Sequence, residues 1–153
     1  MSENNFTTRL QRHLPQGCII TNAEELRPYE CDALSAYRQL PMVVVIPETV
    51  QQVQTVLRLC SEHKVPVVAR GSGTGLSGGA LPLDNGVLLS LARFNRILDI
   101  DVANRTARVQ PGVTNLSISN AVAAHGLYYA PDPSSQIACS IGGNVAENAG
   151  GVH

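Results

Sequence analysis

The amino-acid sequence predicts an α+β fold: a small mixed sheet with helices, followed by the start of a second sheet. Three observations carry this prediction. Apolar runs of strand length and segments of helical period alternate in the first part of the chain. Several strands then follow one another with no helix between them, and two glycine-rich segments interrupt the pattern. The order therefore differs from the regular alternation of a doubly wound α/β fold.

The composition sets bounds on the function. A chain of 153 residues can bury a core without metals or disulfides. Its net charge of -1 and its 4% aromatic content provide neither the basic surface nor the stacking platforms of a nucleic-acid binder. No apolar run approaches the roughly 20 residues of a membrane span, and the N-terminus lacks the apolar segment of a secretion signal. We therefore expect a cytoplasmic protein with no transmembrane segment, consisting of a helical arm at residues 1–37 and one domain at residues 38–153.

The side chains that most often carry chemistry form no recognisable metal or nucleophile motif. The cysteines are scattered, with no CxxC pair and no histidine at ligand spacing. No histidine lies at triad spacing from an Asp, Cys or Ser. We therefore expect free thiols, no metal and no catalytic residue in this chain. The residues concerned are Cys18, Cys31, Cys60, Cys139, His13, His63, His125 and His153.

The arm is expected to be helical. Phe6, Leu10 and Leu14 recur every four residues, which is the spacing of one short amphipathic helix. A second helix is expected over residues 22–39, with Pro28 interrupting it because proline cannot donate the backbone hydrogen bond. Neither helix carries recognisable chemistry.

The next segment predicts a strand, a helix and a second strand. Residues 42–46 are apolar and largely β-branched, as in a buried strand. Thr49 followed by Gln52 fits a capping box and starts a helix that ends near His63. A second buried strand is expected at residues 65–69. The helix is expected to bury Val50, Val53, Leu57 and Cys60.

Three more strands follow. Residues 87–91 are expected to form a buried apolar strand. In residues 97–102 apolar and acidic side chains alternate as in a half-buried strand, and residues 106–109 alternate likewise. Ala103 and Asn104 supply the tight turn of a hairpin between these two strands.

The alternation in the first hairpin strand places Leu98, Ile100 and Val102 on one face, opposite the acidic side chains. After the hairpin, a helix is expected over residues 114–125. Gly126 would close it at the C′ position, where a left-handed backbone conformation is needed. The second glycine-rich segment follows this helix.

Nine of the 13 glycines lie in the two glycine-rich segments, which indicates a backbone role. The first segment, RGSGTGLSGGA at residues 70–80, directly follows a predicted strand. Its glycines permit φ > 0, so that successive N–H groups can point inward and form a concave anion site. Serine and threonine hydroxyls add donors. Arg70 either supports the charge of a phosphate or braces the loop through its carbonyls.

Two common nucleotide-binding motifs are excluded. Gly73, Gly75 and Gly78 have the GxGxxG spacing, but that fingerprint requires a long helix to begin there. Gly79 and Pro82 oppose a helix, and a turn precedes the next strand. A Walker A loop would need a Lys and a Ser or Thr that are absent. The first segment is therefore expected to be a phosphate binder of another kind.

The second glycine-rich segment, PDPSSQIACSIGGNVAENAGG at residues 131–151, begins with two prolines that fix an extended path. A helix is expected to start near Gly142, where free N–H groups could bind a pyrophosphate or a ring carbonyl. Asn144 and Asn148 lie four residues apart and are expected to point the same way from one helical turn. The alternative for each asparagine is local capping.

Five motifs in order carry a resemblance to a known family. They are YECDALSAYRQLP, RGSGTGLSGGALP, VQPGVTN, YAPDPSSQ and SIGGNVAENAGG. From about Arg38 to its end the chain resembles the FAD-binding domain of the vanillyl-alcohol-oxidase and p-cresol-methylhydroxylase (PCMH) type. Within that superfamily it is similar to the D, FAD-binding subunits of bacterial glycolate oxidases and to FAD-linked D-lactate dehydrogenases.

The resemblance implies non-covalent FAD, with residues 71–79 holding the pyrophosphate. Residues 131–135 and 140–151 would wrap the flavin and its phosphates. The first loop has no histidine for covalent attachment, and Cys139 beside the second is expected to be a packed thiol. The implied cofactor-binding residues are Arg70, Gly71, Ser72, Gly73, Thr74, Gly75, Leu76, Ser77, Gly78, Gly79, Pro131, Asp132, Ser134, Ser135, Ser140, Gly142, Gly143, Asn144, Asn148, Gly150 and Gly151.

The reaction implied by the resemblance is oxidation of a small 2-hydroxy acid, glycolate or D-lactate, by hydride transfer from C2 to flavin N5. Electrons would pass to other oxidase subunits that include an iron-sulfur acceptor, and these subunits would hold the protein at the inner membrane. The sequence ends within a ligand-binding region, so we expect a domain incomplete at its C-terminus, without the substrate cap and inactive alone. The alternatives are a stand-alone nucleotide- or anion-binding module and an inactive fragment that acts only within a complex.

Overall fold

The structure is a computed structural model that describes residues 3–153. It combines short helices with two small sheets, which confirms the α+β prediction. The chain forms two compact units. The first unit runs to residue 70 and includes residues 75–93, and the second unit consists of residues 71–74 and 94–153. No helix in the described part of the chain is both long and apolar enough to cross a membrane.

The first unit is built around a four-stranded sheet in the order β1-β2-β4-β3. Strands β2, β3 and β4 run parallel, and β1 pairs antiparallel with β2. The elements in chain order are α1 (Glu3–His13), β1 (Ile19–Ile20), α2 (Ala23–Leu26), β2 (Val43–Val45), α3 (Val50–His63), β3 (Val67–Arg70) and β4 (Val87–Ser90).

The core of the first unit lies on both faces of this sheet. One face packs Val43 and Val45 with the buried side chains Phe6, Leu10 and Leu14 of the N-terminal segment. The amphipathic helix expected there is therefore confirmed, and it packs into the same core as the sheet. On the other face, Leu26, Val44 and Leu88 form a second cluster. The domain division expected between residues 37 and 38 stays a prediction.

The second predicted helix is wrong over most of its length. Helix α2 is one turn, capped by the Asn22 side chain, which accepts a hydrogen bond from Glu24 N–H at 2.9 Å. A 3₁₀ turn at Arg27–Tyr29 follows, and residues 30–40 form no helix. Pro28 stands within this turn and lacks the N–H that would continue an α-helix.

Helix α3 begins and ends as predicted, but its buried face is partly different. Thr49 Oγ1 accepts from Gln52 N–H at 3.2 Å, and the Gln52 side chain accepts from Glu48 N–H at 2.7 Å. Val50 and Leu57 are 56% and 46% exposed. They lie at one edge of the apolar stripe, whereas the sheet packs against the opposite edge. The helix residues in the core are Val53, Val56, Leu59 and Cys60.

The strands of the first sheet lie close to their predicted positions. Strand β4 is buried throughout and lies between β2 and β3. Strand β3 was expected to be buried, yet it is the outer strand and Ala69 is exposed. Sequence pattern cannot distinguish an outer parallel strand from a central one, because both are short apolar runs.

The second unit contains a β-hairpin and two short helices. Its elements are β5 (Ile97–Asp101), β6 (Thr106–Val109), α4 (Asn115–Val122) and α5 (Ile141–Glu147), with a 3₁₀ turn at Ala123–His125. The Thr114 side chain caps α4, and Gly126 is left-handed with φ 69°, as predicted. The helix predicted over residues 114–125 is thus α-helical as far as Val122 and ends in the 3₁₀ turn.

The hairpin is confirmed, but its turn and its alternation differ from the prediction. Asp101 pairs with Thr106, so four residues connect the strands, and Arg105 takes the left-handed conformation with φ 53°. A register irregularity between Ile97 and Asp99 breaks the period of two, which leaves Leu98 46% exposed. Val102 lies beyond the strand and is also exposed.

Candidate cofactor-binding site

The first glycine-rich segment leaves strand β3 and forms no helix before β4. This confirms that its GxGxxG spacing does not open a dinucleotide-binding helix. Gly73 and Gly78 have φ values of 71° and 78°, in the left-handed region that favours glycine. Residues 71–74 belong to the second unit and residues 75–79 to the first.

The backbone N–H groups of residues 71–76 are available to bind a ligand. Within the described part of the chain, those of residues 71–76 donate to no backbone carbonyl and to no described side chain. Free N–H groups next to a left-handed glycine form the concave donor array that binds anions. Residues 71–76 therefore have the donors that a pyrophosphate needs, and none of these residues has a positively charged side chain.

Arg70 is the last residue of β3, and its side chain contacts residues 29 and 31 of the first unit. Its Nη1 donates to the Cys31 carbonyl at 2.6 Å, and its guanidinium lies 5.9 Å from the centre of the Tyr29 ring. These contacts support the bracing role over the phosphate role. The carbonyl that it braces belongs to residue 31 and lies outside the glycine loop, contrary to the expectation.

In the second unit, Gly71 lies against the start of α5. A Cβ atom at Gly71 would overlap Ser140 Oγ. Ser140 is buried and precedes α5 in an extended conformation, yet its side chain makes no capping hydrogen bond. Helix α5 starts at Ile141, one residue before the predicted start near Gly142. Gly71 allows the backbone after β3 to approach this helix start closely.

Gly142 allows a second close approach in the same unit. A Cβ atom there would lie 2.8 Å from Pro111 Cβ and 3.0 Å from Pro111 O. Gly142 N–H donates to that same carbonyl at 2.8 Å, and Ile141 N–H donates to Val113 O at 2.8 Å. The PGV sequence before α4 therefore holds the start of α5 in place. At Gly143 the nearest atom to an added Cβ is only Ser140 Oγ, at 3.2 Å.

Two buried asparagines in the second unit have side-chain atoms without partners in the described structure. Asn144 is 6% exposed, and its Nδ2 makes no hydrogen bond. Asn115 is fully buried; its Nδ2 donates to Pro131 O at 2.9 Å, while its Oδ1 is unpartnered. Buried polar atoms are normally satisfied, so an unpaired donor and an unpaired acceptor mark places for a polar ligand.

Asn148 does not share a helical face with Asn144. It ends α5 in the left-handed conformation with φ 52°, and its N–H donates to Val145 O at 3.4 Å. The expectation that both side chains point the same way from one helical turn is therefore wrong. A left-handed helix end is a position where asparagine is favoured after glycine, so the alternative capping role describes Asn148.

The two ends of the second glycine-rich segment pair with each other. Asp132 N–H donates to Gly150 O at 2.9 Å, and the Asp132 carboxylate accepts from Val152 N–H and His153 N–H at 2.9 and 3.1 Å. His153 Nδ1 lies 2.9 Å from the same carboxylate. Hydrogen bonds from the His153 backbone and side chain, and from Val152, lower the pKa of Asp132 below its usual value.

Gly151 is the left-handed residue of this pairing, with φ 81°. A Cβ atom there would overlap the Asp132 backbone carbonyl. Of the other predicted residues in the segment, Ser134 is exposed, and the carbonyl of Ser135 accepts from the N–H groups of Ala138 and Cys139 at 2.8 Å. The prolines and serines thus form a compact turn rather than a fully extended path.

All four cysteines are free, as predicted. Cys139 is buried, which fits a packed thiol, and burial raises the pKa of Cys60 to about 11. No group of three His, Cys, Asp or Glu side chains suited to a metal occurs among the described residues. Sequence reasoning missed Asn115 and Asp32, both buried with an unpartnered oxygen. Both lie inside motifs that carry the family resemblance, which was the available signal.

The sequence pattern of the FAD binding domain family matches residues 41–153. The chain belongs to this family. It is 66% identical over 144 residues to the glycolate oxidase subunit GlcD of Escherichia coli strain K12, an alignment that covers 94% of this chain and 29% of that subunit. It is 39% identical over 135 residues to a D-lactate dehydrogenase of Anaerostipes hadrus, covering 88% of this chain and 28% of the relative. The chain thus spans less than a third of the length of these relatives.

The fold is shared with an enzyme of known structure. The structure of p-cresol methylhydroxylase with substrate bound superposes with a TM-score of 0.70 at 28% identity, over 84% of this chain and 27% of the other. The fold is therefore that of a PCMH-type FAD-binding domain, as the resemblance implied. The free N–H groups after β3 and the unpartnered Asn144 amide in the second unit fit a phosphate-containing, polar cofactor of this kind.

Proposed function

We propose that this chain is the FAD-binding part of a flavin-dependent oxidoreductase that oxidises a small 2-hydroxy acid, glycolate or D-lactate. The observation that carries the proposal is the run of free N–H groups at residues 71–76 in a chain of the FAD binding domain family. Support for the substrate class comes from the two relatives, a glycolate oxidase subunit and a D-lactate dehydrogenase, whose names both refer to 2-hydroxy acids.

In this proposal the first glycine-rich segment binds the FAD pyrophosphate. The free N–H groups of residues 71–76 would donate to phosphate oxygens, and the left-handed conformation of Gly73 is one that lets neighbouring N–H groups converge on an anion. Because residues 71–80 include no Lys or Arg, backbone dipoles would supply most of the stabilisation of the phosphate charge. Ser72, Thr74 and Ser77 add hydroxyl groups to this segment, and Leu76, Gly75, Gly78 and Gly79 complete it.

The second glycine-rich segment is proposed to hold the flavin end of the cofactor. Asn144 Nδ2 is the donor suited to a ring carbonyl, since it is buried and unpartnered. Asn115 fixes the position of Pro131 through its own amide. The residues assigned to this end are Pro131, Asp132, Ser134, Ser135, Ser140, Gly142, Gly143, Asn144, Asn148, Gly150 and Gly151, with Asn148 and Gly151 acting through their backbone.

Bound FAD would supply the acceptor for a hydride from C2 of the hydroxy acid, at flavin N5. The residues of this chain bind and orient that acceptor, and we assign none of them a proton-transfer role. The base and the carboxylate-binding groups are proposed to lie outside the 153 residues, in the length that the relatives have in addition. Attachment is proposed to be non-covalent, because Cys139 is buried and the first segment has no histidine.

The relative from Escherichia coli is named as a subunit. We propose that this protein likewise acts with other oxidase subunits, including one that carries an iron-sulfur acceptor, and that it is a cytoplasmic protein held at the inner membrane by them. We also propose that residues 1–37 form an N-terminal helical arm and that residues 38–153 form the FAD-binding domain.

The test is the visible absorption spectrum of the full-length protein after incubation with FAD and desalting. We expect a flavin band, its release by acid precipitation, and bleaching by glycolate or D-lactate under anaerobic conditions. No retained band would contradict the cofactor assignment. A flavin band that neither glycolate nor D-lactate bleaches would overturn the substrate class and favour the alternative of a nucleotide-binding module.

A further inference from the structure

Asp32 is a buried residue, and the turn that it forms with Leu34 uses only one of its two carboxylate oxygens. Only 5% of the residue is exposed. Its Oδ1 accepts a hydrogen bond from Leu34 N–H at 2.9 Å. Its Oδ2 is buried and has no hydrogen-bond partner, and the described ion pairs of the chain do not include this residue. A buried charge without a partner is strongly destabilising, so a donor is expected to complete the site.

Residues close to Asp32 in sequence lie near the end of β3 and near Gly78 of the first glycine-rich segment. The Cys31 carbonyl accepts the 2.6 Å hydrogen bond from Arg70, the last residue of β3. Leu34 Cδ2 lies 3.7 Å from the position that a Cβ atom of Gly78 would occupy. All four residues belong to the first unit. Asp32 is therefore held close to the end of β3 and to Gly78, in the part of the first glycine-rich segment that belongs to the same unit.

The chemistry of the loop decides which donor suits Oδ2. A phosphate oxygen carries no proton and would repel the carboxylate, whereas a sugar hydroxyl beside the phosphate can donate to it. Dinucleotide-binding folds of a different architecture pair a glycine loop for phosphate with a carboxylate for a ribose hydroxyl. Resting on the proposed function, we propose that Asp32 is a further cofactor-binding residue whose Oδ2 accepts a hydrogen bond from a ribose or ribityl hydroxyl of FAD.

The first experiment distinguishes the role of Asp32 in the turn with Leu34 from its proposed hydrogen bond with FAD. In full-length protein, Asp32→Asn keeps an oxygen for Leu34 N–H but replaces the accepting oxygen with an NH₂ group, whereas Asp32→Ala removes both. Asp84→Asn, at an exposed position in the same unit, is the matched control. The measurements are the Kd for FAD, by quenching of flavin fluorescence on addition of apoprotein, and the Tm of each apoprotein.

We expect Asp32→Asn to raise the Kd by about tenfold or more, since hydrogen bonds to a charged group are the stronger ones. Its apoprotein should keep the Tm of the Asp84→Asn control, while Asp32→Ala lowers it through loss of the turn. An unchanged Kd for Asp32→Asn would overturn the proposal and leave Asp32 as a turn residue only. If wild-type protein binds no FAD, the proposed function fails instead, so the two failures are distinguishable.

The second experiment identifies the donor. FAD analogues that each lack one ribose or ribityl hydroxyl are titrated into wild type and Asp32→Asn. For one analogue the wild-type Kd should rise about tenfold, and the further effect of the substitution should disappear. An undiminished effect with every analogue would overturn the hydroxyl assignment and indicate a loop N–H as the donor. If Asp32→Asn yields no folded apoprotein, the wild-type titration alone tests the hydroxyl assignment, because an unchanged wild-type Kd for every analogue would overturn it.

Discussion

The two glycine-rich segments use glycine for different physical purposes. In the first, the backbone N–H groups of residues 71–76 have no protein acceptor in the described structure. In the second, most of the segment is tied to itself or to its neighbours, through the Asp132 and Gly151 pairing and through the Pro111 carbonyl. The first segment is thus prepared for a ligand, whereas glycine in the second mainly removes a Cβ atom where two backbones meet. The difference predicts where an added methyl group lowers affinity and where it lowers stability.

The largest effect is expected at Gly151. Gly151→Ala places a Cβ atom on the Asp132 carbonyl and requires a left-handed alanine, which together should cost roughly 2–4 kcal/mol of local stability. Gly150→Ala is the matched control, because nothing lies within 4 Å of its Cβ position. The measurement is amide hydrogen exchange at Asp132 and Val152 in full-length protein. Equal protection in the two variants would show that the close approach does not hold this segment together.

The next effect is expected at the start of α5. Gly142→Ala brings a Cβ atom to 2.8 Å from Pro111, so either α5 or the preceding loop must shift. The cost of overpacking exceeds the helix-propensity gain of alanine, and we expect a net loss of about 1–2 kcal/mol. Gly143→Ala meets only the Ser140 hydroxyl, which can turn away. It should be neutral or slightly stabilising by urea denaturation, and a loss as large as that of Gly142→Ala would contradict the comparison.

Patterns of local origin were predicted well from the sequence. The Thr49 cap, the left-handed Gly126 and the three apolar strands depend on neighbouring residues, and they lie close to where the sequence placed them. The failure of a helix to start after the first glycine-rich segment was also predicted, because Gly79 and Pro82 act locally.

Features set by contacts between distant residues were not predicted. The exposed Ala69 depends on β3 being the outer strand, and the buried edge of α3 depends on where the sheet packs. Asn115 carries no local signal for its role, since its partner carbonyl at Pro131 is 16 residues away. The PCMH-type fold came from the resemblance of five motifs. It did not follow from periodicity, which gave only the α+β class.

A smaller effect, on affinity rather than stability, is expected in the first segment. Gly73→Ala strains a left-handed residue by about 1–2 kcal/mol, and relief of that strain would turn the free N–H groups away from the ligand. The Kd for FAD should therefore rise about tenfold, with little change in the Tm of the apoprotein. Gly75→Ala is the control because Gly75 is not among the positive-φ glycines. A lowered Tm with unchanged Kd would mean that this segment is structural like the second.

The smallest effect is a pH dependence of the second segment. Hydrogen bonds from His153 and Val152 lower the pKa of Asp132 in the folded protein, below its unfolded value of about 3.9. The carboxylate contacts therefore stabilise the segment fully above the unfolded pKa, and this contribution is lost as the pH falls through the folded pKa. The Val152 and His153 amides should lose protection from hydrogen exchange at acidic pH only. Asp132→Asn should remove that pH dependence, and its survival in the variant would show that another group controls the segment.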